Sequence, residues 1–570
     1  MTVIIDDHAE AARLLEQDDV IAIDTETTGL NPWRDEIALI QLCGNNTKTP
    51  ILLRNWDRSI PPVLQDLLTT NKLFIGHNLG GFDLLFLHTH GGKYLNTRWY
   101  DTMVGECLIS TTGRRDVSKS LRATLKRRSG VNIDKNIEHG HWRDENLSVD
   151  QVTYAASDVV NLVELREDQL KRLEEQKQLA AAEMEMELLP WVANMTCNGL
   201  PLNAAVLNDW LAKQRELAEE SEKKLYGMFG TSDINLNSTQ QLRKAIKACT
   251  GVEMKSTSKE TLVEYAEYAT GPISEVCRTL LDYREPAQRI KMYSPEWQRA
   301  YIIDNWVHPR FWQVGTDTLR FSSSDPNAQQ IPKNGRFIIG NLPGYSIVSA
   351  DYSQIEVRIA AHLARDQAME DILRSEDVHR GVASQVFRIP ENQVTQEQRK
   401  QAKALTFSLL FGGGAGVLYD YSRASGTSIT HEESENMLHT FFTAFDGLRQ
   451  MRAKAYRMSQ DLRVVTITLP NGAKRVLTGE KKKPTTILNT VVQGSAAIGI
   501  KYAMLEAARR GIFDGRIGAQ VHDELVAVVP DAEVADYKRE IEAAMIDGMH
   551  RAMPNMLVKV EVKDGYQWQP

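Results

Sequence analysis

At 570 residues, with 42% hydrophobic and 25% charged residues, the chain has the size and composition of a globular protein of three or four domains. No apolar run approaches the ~18 residues that a membrane span requires, and the N-terminus is neither a signal peptide nor a transit sequence, so we expect a cytoplasmic protein without a membrane partner. Five scattered cysteines without C-x-x-C pairs argue against a disulfide framework or a zinc site, and a net charge of −8 gives no sign of a nucleic-acid partner, although local basic faces can still bind one.

The first predicted strand ends in two carboxylates. Residues 20–23 are apolar and lead into Asp24 and Glu26, which lie two residues apart and therefore on one side of the strand. A second apolar run, residues 37–42, is the predicted hairpin partner.

Three further candidate residues lie on predicted helices. Asp83 lies on a helix expected over residues 79–87. Tyr154 and Asp158 lie four residues apart on a helix expected to start at Ser148, so they share one face. A cap or a half-buried aromatic explains any one of these positions equally well, but it does not explain the ordered set.

Four carboxylates at the ends of buried elements repel one another unless divalent cations lie among them. Hard oxygen ligands without Cys or His indicate Mg²⁺ or Mn²⁺. Two such ions can stabilise the attacking and the leaving oxygen of a phosphodiester displacement. Tyr154 could then orient or deprotonate the attacking water.

These residues resemble the motifs of the DEDDy branch of 3′–5′ exonucleases, the ribonuclease D and proofreading type. The matching motifs are Asp24-Thr-Glu26, His77-Asn78-x-x-x-x-Asp83 and Tyr154-x-x-x-Asp158. The resemblance implies a ribonuclease H-like domain over residues 1–178, with a mixed central sheet, flanking helices and a pocket for a single-stranded DNA 3′ end.

The next stretch is predicted to be mainly helical. Residues 164–187 are rich in Leu, Glu, Gln, Lys and Ala without Gly or Pro, which predicts one continuous helix that joins two modules. Residues 204–228 and 274–293 have long amphipathic helical patterns. The basic runs at 126–128 and 481–483 are more often solvated surface than binding sites when each is taken alone.

A strand predicted from Val307 leads into an irregular segment, residues 316–332. Arg320 lies there among Ser, Asn and Gln donors, which suits phosphates and minor-groove base edges, although a polar surface loop is the default interpretation. A second buried strand, residues 346–350, then ends in Asp351, and an isolated Asp at such a place is most often a helix cap.

One downstream helix carries Arg399, Lys403, Phe407 and Phe411 at steps of four, so these side chains form one stripe. Two cations followed by two aromatic faces match the triphosphate and the flat base of a nucleotide. The alternative is an amphipathic helix with its Phe residues in the core and its cations in solvent.

Residues 517–529 contain two apolar runs on either side of His522-Asp523-Glu524, which predicts a hairpin with carboxylates at its tip. Asp523 is the second lone carboxylate at the end of a buried strand. Together with Asp351 it would form a two-metal site for phosphoryl transfer.

In this order, the residues resemble the motifs of family A DNA polymerases, the DNA polymerase I type. Residues 351–358 resemble motif A, residues 399–412 motif B, and residues 522–524 motif C. The resemblance implies an α/β, multidomain chain with a right-hand polymerase domain over residues 179–570. Its subdomains would be a thumb near 200–300, a palm near 301–365 and 485–570, and fingers near 366–484. We expect no 5′-nuclease domain before the exonuclease, as in phage replicative members of the family.

The resemblance implies a role for each matching residue. Asp351 and Asp523 would bind two Mg²⁺ or Mn²⁺ ions, with Glu524 beside them as a catalytic residue, and Lys403 would also protonate the departing pyrophosphate. Glu356 would close the space for a ribose 2′-OH and so select dNTPs over rNTPs. The other nucleotide-binding residues would be Arg399, Lys403, Phe407, Phe411, His379 and Gln354. The residues that hold the primer–template would be Arg320, Asn327, Gln329, Asn489, Gln493 and His522.

Four positions depart from the family pattern. Leu319 stands where Gly is usual, Phe411 where Tyr is common, Thr485 where Arg is frequent and Ile498 where Asp is frequent. None of these positions is a metal ligand, so the departures concern fidelity, template grip and base preference rather than catalysis.

The sequence therefore predicts a monomeric, proofreading DNA polymerase that acts on primer–template DNA and dNTPs, in phage genome replication. Three alternatives remain open: a nuclease with an inactive polymerase-like body, a non-catalytic DNA-binding scaffold, and an RNA polymerase of related fold. Asp351, Asp523 and Lys403 argue against the first, the acidic metal sites against the second, and Glu356 against the third.

Overall fold

The computed structural model describes residues 3–5, 8–55, 58–112, 117–132, 142–144, 146–410, 413–424, 429–461 and 463–569. Its strands are β1 Val3–Ile5, β2 Val20–Thr27, β3 Ile37–Gly44, β4 Ile51–Arg54, β5 Leu73–Gly76, β6 Arg98–Asp101, β7 Leu200–Pro201, β8 Trp306–Val307, β9 Arg310–Trp312, β10 Ser322–Ser324, β11 Tyr345–Tyr352, β12 Val464–Thr468, β13 Lys474–Thr478, β14 Ile517–Val521, β15 Glu524–Pro530 and β16 Val560–Gly565.

The α-helices are α1 His8–Leu14, α2 Pro62–Leu68, α3 Asp83–Thr89, α4 Thr102–Ile109, α5 Leu121–Ser129, α6 Val149–Val160, α7 Leu162–Glu175, α8 Leu179–Asn198, α9 Ala204–Phe229, α10 Thr239–Thr250, α11 Lys259–Tyr268, α12 Pro272–Met292, α13 Pro295–Tyr301, α14 Ile355–Ala364, α15 Gln367–Ile372, α16 Val378–Phe387, α17 Gln396–Leu410, α18 Ala415–Ala424, α19 His431–Ala444, α20 Asp446–Asp461, α21 Pro484–Arg509 and α22 Val534–Ala552. None of the described helices is both long and apolar enough to cross a membrane.

The N-terminal part of the chain forms a six-stranded mixed sheet in the order β1-β4-β3-β2-β5-β6. Strand β2 pairs antiparallel with β3 and parallel with β5, so the predicted hairpin partner is confirmed. Every residue of β3 is buried, as expected for a strand covered on both faces. The mixed sheet with its helices confirms the predicted α/β class.

A four-stranded antiparallel sheet, in the order β14-β15-β11-β16, lies in the C-terminal part. Strand β11 is central, and its residue Asp351 lies opposite Glu524 on β15 and Glu561 on β16. Strands β14 and β15 form the hairpin that the sequence predicts. This sheet brings three carboxylates from distant parts of the chain into one row.

The chain divides into two compact units. One comprises residues 1–201, 307–359 and 455–570 and contains both of these sheets. The other comprises residues 202–306 and 360–454 and is mainly helical. In this second unit the helices α9 and α12 pack together around buried residues that include Leu225, Val276 and Leu280. The subdomain bounds given above stay a prediction.

The single helix expected over residues 164–187 is wrong, because two helices meet there. Helix α7 ends at Glu175 and α8 begins at Leu179, with Lys177 between them at a φ of 56°. Gln178 is fully buried, where its amide donates to Leu108 O over 3.1 Å and accepts from Lys474 N over 2.6 Å. The break places this amide where it satisfies two distant backbone groups.

The helix expected over residues 79–87 is also wrong in its extent. A 3₁₀ turn covers Leu79–Gly81, and α3 then begins at Asp83. A Cβ on Gly81 would lie 2.4 Å from the side-chain oxygen of Asn78, so any larger residue at this position would displace that side chain. Asp83 therefore lies in the first turn of a helix rather than in its middle.

Two candidate active sites

Three of the four carboxylates predicted to bind metal in the N-terminal sheet converge. Asp24, Glu26 and Asp158 each offer an oxygen, and these oxygens all lie within 4.8 Å of one another. Strand β2 presents the first two on one side, and α6, which packs against β2, presents the third. Helix α6 begins after Ser148 with a capping box, as its sequence predicts. This donor set fits a divalent cation with oxygen ligands.

Asp83 lies beside this cluster but is not one of the three. Its Oδ1 accepts a hydrogen bond of 2.7 Å from the hydroxyl of Thr25, the residue between Asp24 and Glu26. The side chain is 2% exposed, and burial, with a smaller contribution from the charge of Asp101, raises the pKa of Asp83 to about 7. A cation bound near Asp83 would therefore favour loss of its proton.

Tyr154 lies on α6, one turn before Asp158. Its ring is half-buried and lies 6.0 Å from the ring of Trp142, which packs with Leu39 and Leu52. Packing against a buried aromatic side chain limits the movement of the Tyr154 ring. The same packing also agrees with the alternative that Tyr154 is a half-buried aromatic residue with a structural role.

His77 of the second exonuclease motif bonds at both ring nitrogens. Nδ1 lies 2.8 Å from the hydroxyl of Thr102, and Nε2 lies 2.7 Å from the carbonyl oxygen of Lys119. These bonds hold the turn that leads to Asp83. His77 thus has a structural task, and the cluster of oxygens needs no nitrogen ligand.

The second acidic site is centred on β11. Residues Ile347 to Ala350 are buried, and Asp351 then emerges with its side chain exposed to solvent on one side. The protein around its carboxylate, followed by repulsion from Glu524, Asp523 and Glu561, raises the pKa of Asp351 to about 7. Asp351 lies inside the strand and α14 begins at Ile355, so Asp351 does not occupy an N-cap position.

Arg320 joins two of the predicted residues. Its Nη2 lies 2.5 Å from Oε1 of Glu356 and 3.9 Å from Oδ1 of Asp523. Burial raises the pKa of Glu356 and of Asp523, and the Arg320 charge counteracts this in both. Arg320, predicted to bind DNA, therefore serves in this structure as a counter-ion for two carboxylates of the predicted polymerase site.

Glu524 has partners that the sequence motifs do not indicate. Its carboxylate forms an ion pair of 2.9 Å with Arg336 and accepts a hydrogen bond of 2.8 Å from the indole of Trp568. Lys333 lowers the pKa of Asp351, and Glu561 raises it. Arg336, Trp568, Lys333 and Glu561 all lie outside the three polymerase motifs, so a search for those motifs does not find them.

The predicted DNA-binding residues fall into two groups. A hydrogen-bonded series links Gln329 to Gln520 over 3.4 Å and Gln520 to the carbonyl oxygen of His522, so Gln329 and His522 lie close together. Asn327 accepts from Gln329 N over 3.0 Å, which is the bond of an ordinary cap. The second group, Asn489 and Gln493, lies four residues apart on α21, half-buried.

The predicted triphosphate-binding residues lie on α16 and α17 in the helical unit. Arg399 donates from Nε to Asp377 over 2.8 Å, and Lys403 is exposed. Burial, followed by the charges of Lys403 and Arg399, lowers the pKa of His379 to about 4. Lys403 and Arg399 therefore lie close enough to His379 for their positive charges to disfavour its protonation. Gln354, in the sheet-containing unit, precedes α14 at a φ of 52°.

The two aromatic residues of the predicted nucleotide-binding stripe are Phe407 and Phe411. Helix α17 includes Phe407, but the Phe407 side chain and all of Phe411 lie outside the described residues. The described buried face of α17 consists of Ala402, Ala404, Leu405 and Thr406.

The basic run at residues 126–128 is partly structural. Arg127 and Arg128 donate to Glu106, whose side chain is 1% exposed, over 3.0 and 2.8 Å. These arginines neutralise a buried carboxylate, which accounts for two of the three charges. In the other run, Lys481 and Lys483 are exposed.

Comparison with known proteins matches most of the chain. Residues 205–570 match the model of DNA polymerase family A, and residues 2–174 match a 3′–5′ exonuclease model. DNA polymerase I of Aquifex aeolicus is 26% identical over 98% of this chain and 97% of its own length. The enzyme of Pseudomonas aeruginosa is 28% identical over 97% of this chain, and that of Geobacillus stearothermophilus 29% over 75%. The chain spans only 64% and 50% of these last two relatives.

The fold also matches a solved structure, the POL domain of Pol1 from M. smegmatis in complex with DNA primer-template and dNTP. The TM-score is 0.83, with 22% sequence identity and 98% of both chains covered. The polymerase family model covers more than half of the chain, and it includes both Asp351 and Asp523. The chain therefore belongs to DNA polymerase family A, and it is a DNA-directed DNA polymerase that carries a 3′–5′ exonuclease domain.

Proposed function

We propose that the chain copies a DNA template from dNTPs at Asp351 and Asp523, and proofreads by removing 3′-terminal nucleotides at Asp24, Glu26 and Asp158. The observation that carries this proposal is the presence of two separate acidic sites on two different sheets. Phosphoryl transfer by divalent metals uses clustered carboxylates of this kind.

At the exonuclease site, Asp24, Glu26 and Asp158 would hold the divalent ion, Mg²⁺ or Mn²⁺, and Asp83 would hold a second ion once its proton is released. Such ions, when bound, neutralise the scissile phosphate and favour ionisation of the attacking water. Tyr154 lies one turn from Asp158 and would orient that water. Packing against Trp142 limits the rotation of the Tyr154 ring and so the movement of its hydroxyl.

At the polymerase site, Asp351 and Asp523 would hold two Mg²⁺ or Mn²⁺ ions between them. Glu524 adds negative charge next to both, and its contribution is moderated by Arg336. The negative charges of Glu524, Asp523 and Glu561 attract a cation to Asp351, and a bound metal ion would displace the proton from its carboxyl group. Arg320 holds Glu356 and Asp523 in a fixed relation, so the acidic groups do not disperse before substrate binds.

The incoming nucleotide would be bound by Arg399, Lys403 and His379 through its triphosphate. The low pKa of His379 keeps its ring neutral at pH 7, so it would donate a single N–H rather than add charge. Lys403, exposed at this face, would supply the proton that the pyrophosphate takes on departure. Phe407 and Phe411 are proposed to stack on the sugar and base, and Gln354 is the remaining residue proposed for nucleotide binding.

Glu356 would select the sugar, because its side chain is fixed by Arg320 and cannot move to admit a 2′-hydroxyl. The residues proposed to grip the primer–template are Arg320, Asn327, Gln329, Asn489, Gln493 and His522. Phage genome replication, a monomeric state and a cytoplasmic location stay predictions.

Reciprocal alanine variants test the proposal. Asp351→Ala should reduce primer extension with Mg²⁺ by about 10³-fold or more while sparing 3′–5′ hydrolysis of a single-stranded oligonucleotide. Asp24→Ala should do the reverse. Primer extension should require template and dNTPs, and rNTPs should be used poorly.

The rival functions give different results. A nuclease with an inactive polymerase-like body would extend no primer, and a scaffold would behave alike with and without chelator. An RNA polymerase would extend with rNTPs when Asp24→Ala has removed hydrolysis. Extension that survives Asp351→Ala would contradict the proposed role of this residue.

A further inference from the structure

The carboxylate of Glu524 is held by two side chains from outside the motif. The indole Nε1 of Trp568 donates to Oε1 over 2.8 Å, and Arg336 donates from Nη1 to the same oxygen over 3.3 Å. Nη2 of Arg336 lies 2.9 Å from Oε2, so the guanidinium spans both oxygens. Its Cζ also lies 4.1 Å from the centroid of the Trp568 ring. All three residues are less than a tenth exposed: Arg336 8%, Glu524 6% and Trp568 1%.

The position of Trp568 does not depend on Glu524. Trp568 N donates to Ile339 O over 3.0 Å, and the carbonyl oxygen of Tyr566 accepts from Asn341 N over 2.8 Å. Gly340 has a φ of 109°, and a Cβ there would lie 2.5 Å from Tyr566 O, so this approach of two backbones needs glycine. Backbone pairing therefore delivers the indole to a fixed place.

Glu524 is in turn connected to both polymerase carboxylates. It lies opposite Asp351 in the sheet, and it directly follows Asp523 in the chain. The carbonyl oxygen of Asp523 accepts from Tyr352 N over 3.2 Å, which ties the hairpin tip to the residue after Asp351. Among the neighbouring charges, Glu524 has the largest effect in raising the pKa of Asp351. A movement of Glu524 would thus change the geometry and the potential at both positions.

A buried carboxylate keeps its charge only with a cation and with hydrogen-bond donors. Arg336 supplies the cation, and Trp568 supplies a donor that carries no charge. The flat indole also supports the guanidinium from one side, which fixes the direction of its hydrogen bonds. Both side chains therefore determine where the Glu524 charge sits and how strongly it acts.

We propose that Arg336 and Trp568 are positioning residues for polymerisation: they fix the carboxylate of Glu524 and, through it, the arrangement of Asp351 and Asp523. The inference rests on the proposed function of Asp351 and Asp523 as metal ligands. Arg336 and Trp568 act on the carboxylates rather than on the nucleotide, so their loss should lower kcat and leave KM for dNTPs nearly unchanged.

The test uses the full chain with Asp24→Ala, so that hydrolysis does not obscure extension. Trp568→Phe keeps an aromatic ring beside Arg336 but removes the N–H donor together with part of the ring volume, and kcat for primer extension should fall about tenfold with KM for dNTPs within about twofold. Arg336→Met should lower kcat by about 10²-fold, and Arg336→Lys should recover part of that loss. The matched control is Trp99→Phe, which removes another buried indole donor, one that bonds Tyr94 O over 3.0 Å, and should not change extension.

A second readout does not depend on turnover. Mn²⁺ binding to each protein without DNA, measured by electron paramagnetic resonance, should weaken about threefold in Trp568→Phe relative to the Asp24→Ala parent. The parent with Asp351→Ala gives the binding that remains without the polymerase site. Arg336→Lys provides the same measurement should Trp568→Phe not fold.

The outcomes separate this inference from the proposed function. If Asp351→Ala abolishes extension while the Trp568 and Arg336 variants keep the parental kcat and Mn²⁺ affinity, the positioning role is wrong and the function stands. Equal losses in kcat and in dNTP affinity would also overturn it, because they indicate a general disturbance. Extension that persists in Asp351→Ala would instead refute the proposed function.

Discussion

The two acidic sites of this chain solve the same electrostatic problem differently. At the polymerase site, Arg320 lies beside Glu356 and Asp523, and Arg336 beside Glu524, so cations of the protein accompany most of the carboxylates. At the exonuclease site, Asp24, Glu26 and Asp158 converge, and the nearby Asp83 is raised in pKa by burial. Ion pairs with arginine therefore accompany carboxylates of the proposed polymerase site, whereas at the proposed exonuclease site the buried Asp83 holds its proton more tightly than a free carboxyl group does.

The largest effect on the polymerase site should come from removing Glu356, which forms an ion pair with Arg320. By the role proposed for Glu356, the substitution Glu356→Ala should open space next to the incoming sugar, and it removes the ion pair between Glu356 and Arg320. We expect rNTP incorporation relative to dNTP incorporation to rise on the order of 10²-fold in primer extension. Hydrolysis at the exonuclease site should not change.

Glu561 provides the matched control for this substitution. It is an exposed carboxylate that lies opposite Asp351 on β16, whereas Glu356 lies on helix α14. Glu561→Ala should therefore keep the parental choice of sugar. An unchanged rNTP to dNTP ratio in Glu356→Ala would show that another residue selects the sugar.

A smaller effect should appear in the stability of the exonuclease site without metal. Burial raises the pKa of Asp83 to about 7, so the folded chain holds this proton more tightly than the unfolded chain does. Stability from this group is therefore complete below about pH 4 and is lost as the pH rises towards 7. Asp83→Asn removes the ionisation, and in chelator at pH 8 it should stabilise the fold by on the order of 1–3 kcal/mol.

Melting curves at pH 8 and at pH 4 measure this difference, which should nearly vanish at the lower pH. Asp351→Asn is the comparison from the other site, and its stabilisation should be much smaller because Asp351 is exposed. Added Mg²⁺ should reduce the advantage of Asp83→Asn. The same stabilisation at both pH values would contradict the assignment of a raised pKa to Asp83.

The smallest expected effect concerns the backbone just before Arg320. Leu319 is fully buried at a φ of 62°, in the left-handed region that favours glycine. Leu319→Gly and Leu319→Ala both lose the buried side chain, but Gly should be more stable than Ala by about 1 kcal/mol in denaturant unfolding. In the helical control Leu505, on α21, the order should reverse. Equal stability of the two Leu319 variants would argue against strain there.

Local patterns predicted the elements that carry the sites. The apolar runs gave β2, β3, β11 and the β14–β15 hairpin, and the Ser148 cap gave the start of α6, because strand periodicity and capping depend on neighbouring residues. Family motifs then named Asp24, Glu26 and Asp158, which the structure brings together.

The rest depended on contacts between distant residues. The break before α8 follows from the burial of Gln178 against Leu108 and Lys474, and nothing in residues 164–187 signals it. The partners of Glu524 are distant in the chain: Arg336 lies 188 residues before it and Trp568 lies 44 residues after it. Pairing over such separations leaves no local pattern in a single sequence.

The central place of β11 also sets an order of assembly during synthesis. Strands β1 to β6 and helix α6 lie within the first 160 residues, so the exonuclease carboxylates can gather while the rest of the chain is still being made. Strand β11 has to wait for its partners β15 and β16, which lie much later in the chain. A growing chain would therefore gather the carboxylates proposed for nucleotide removal before it gathers those proposed for nucleotide addition.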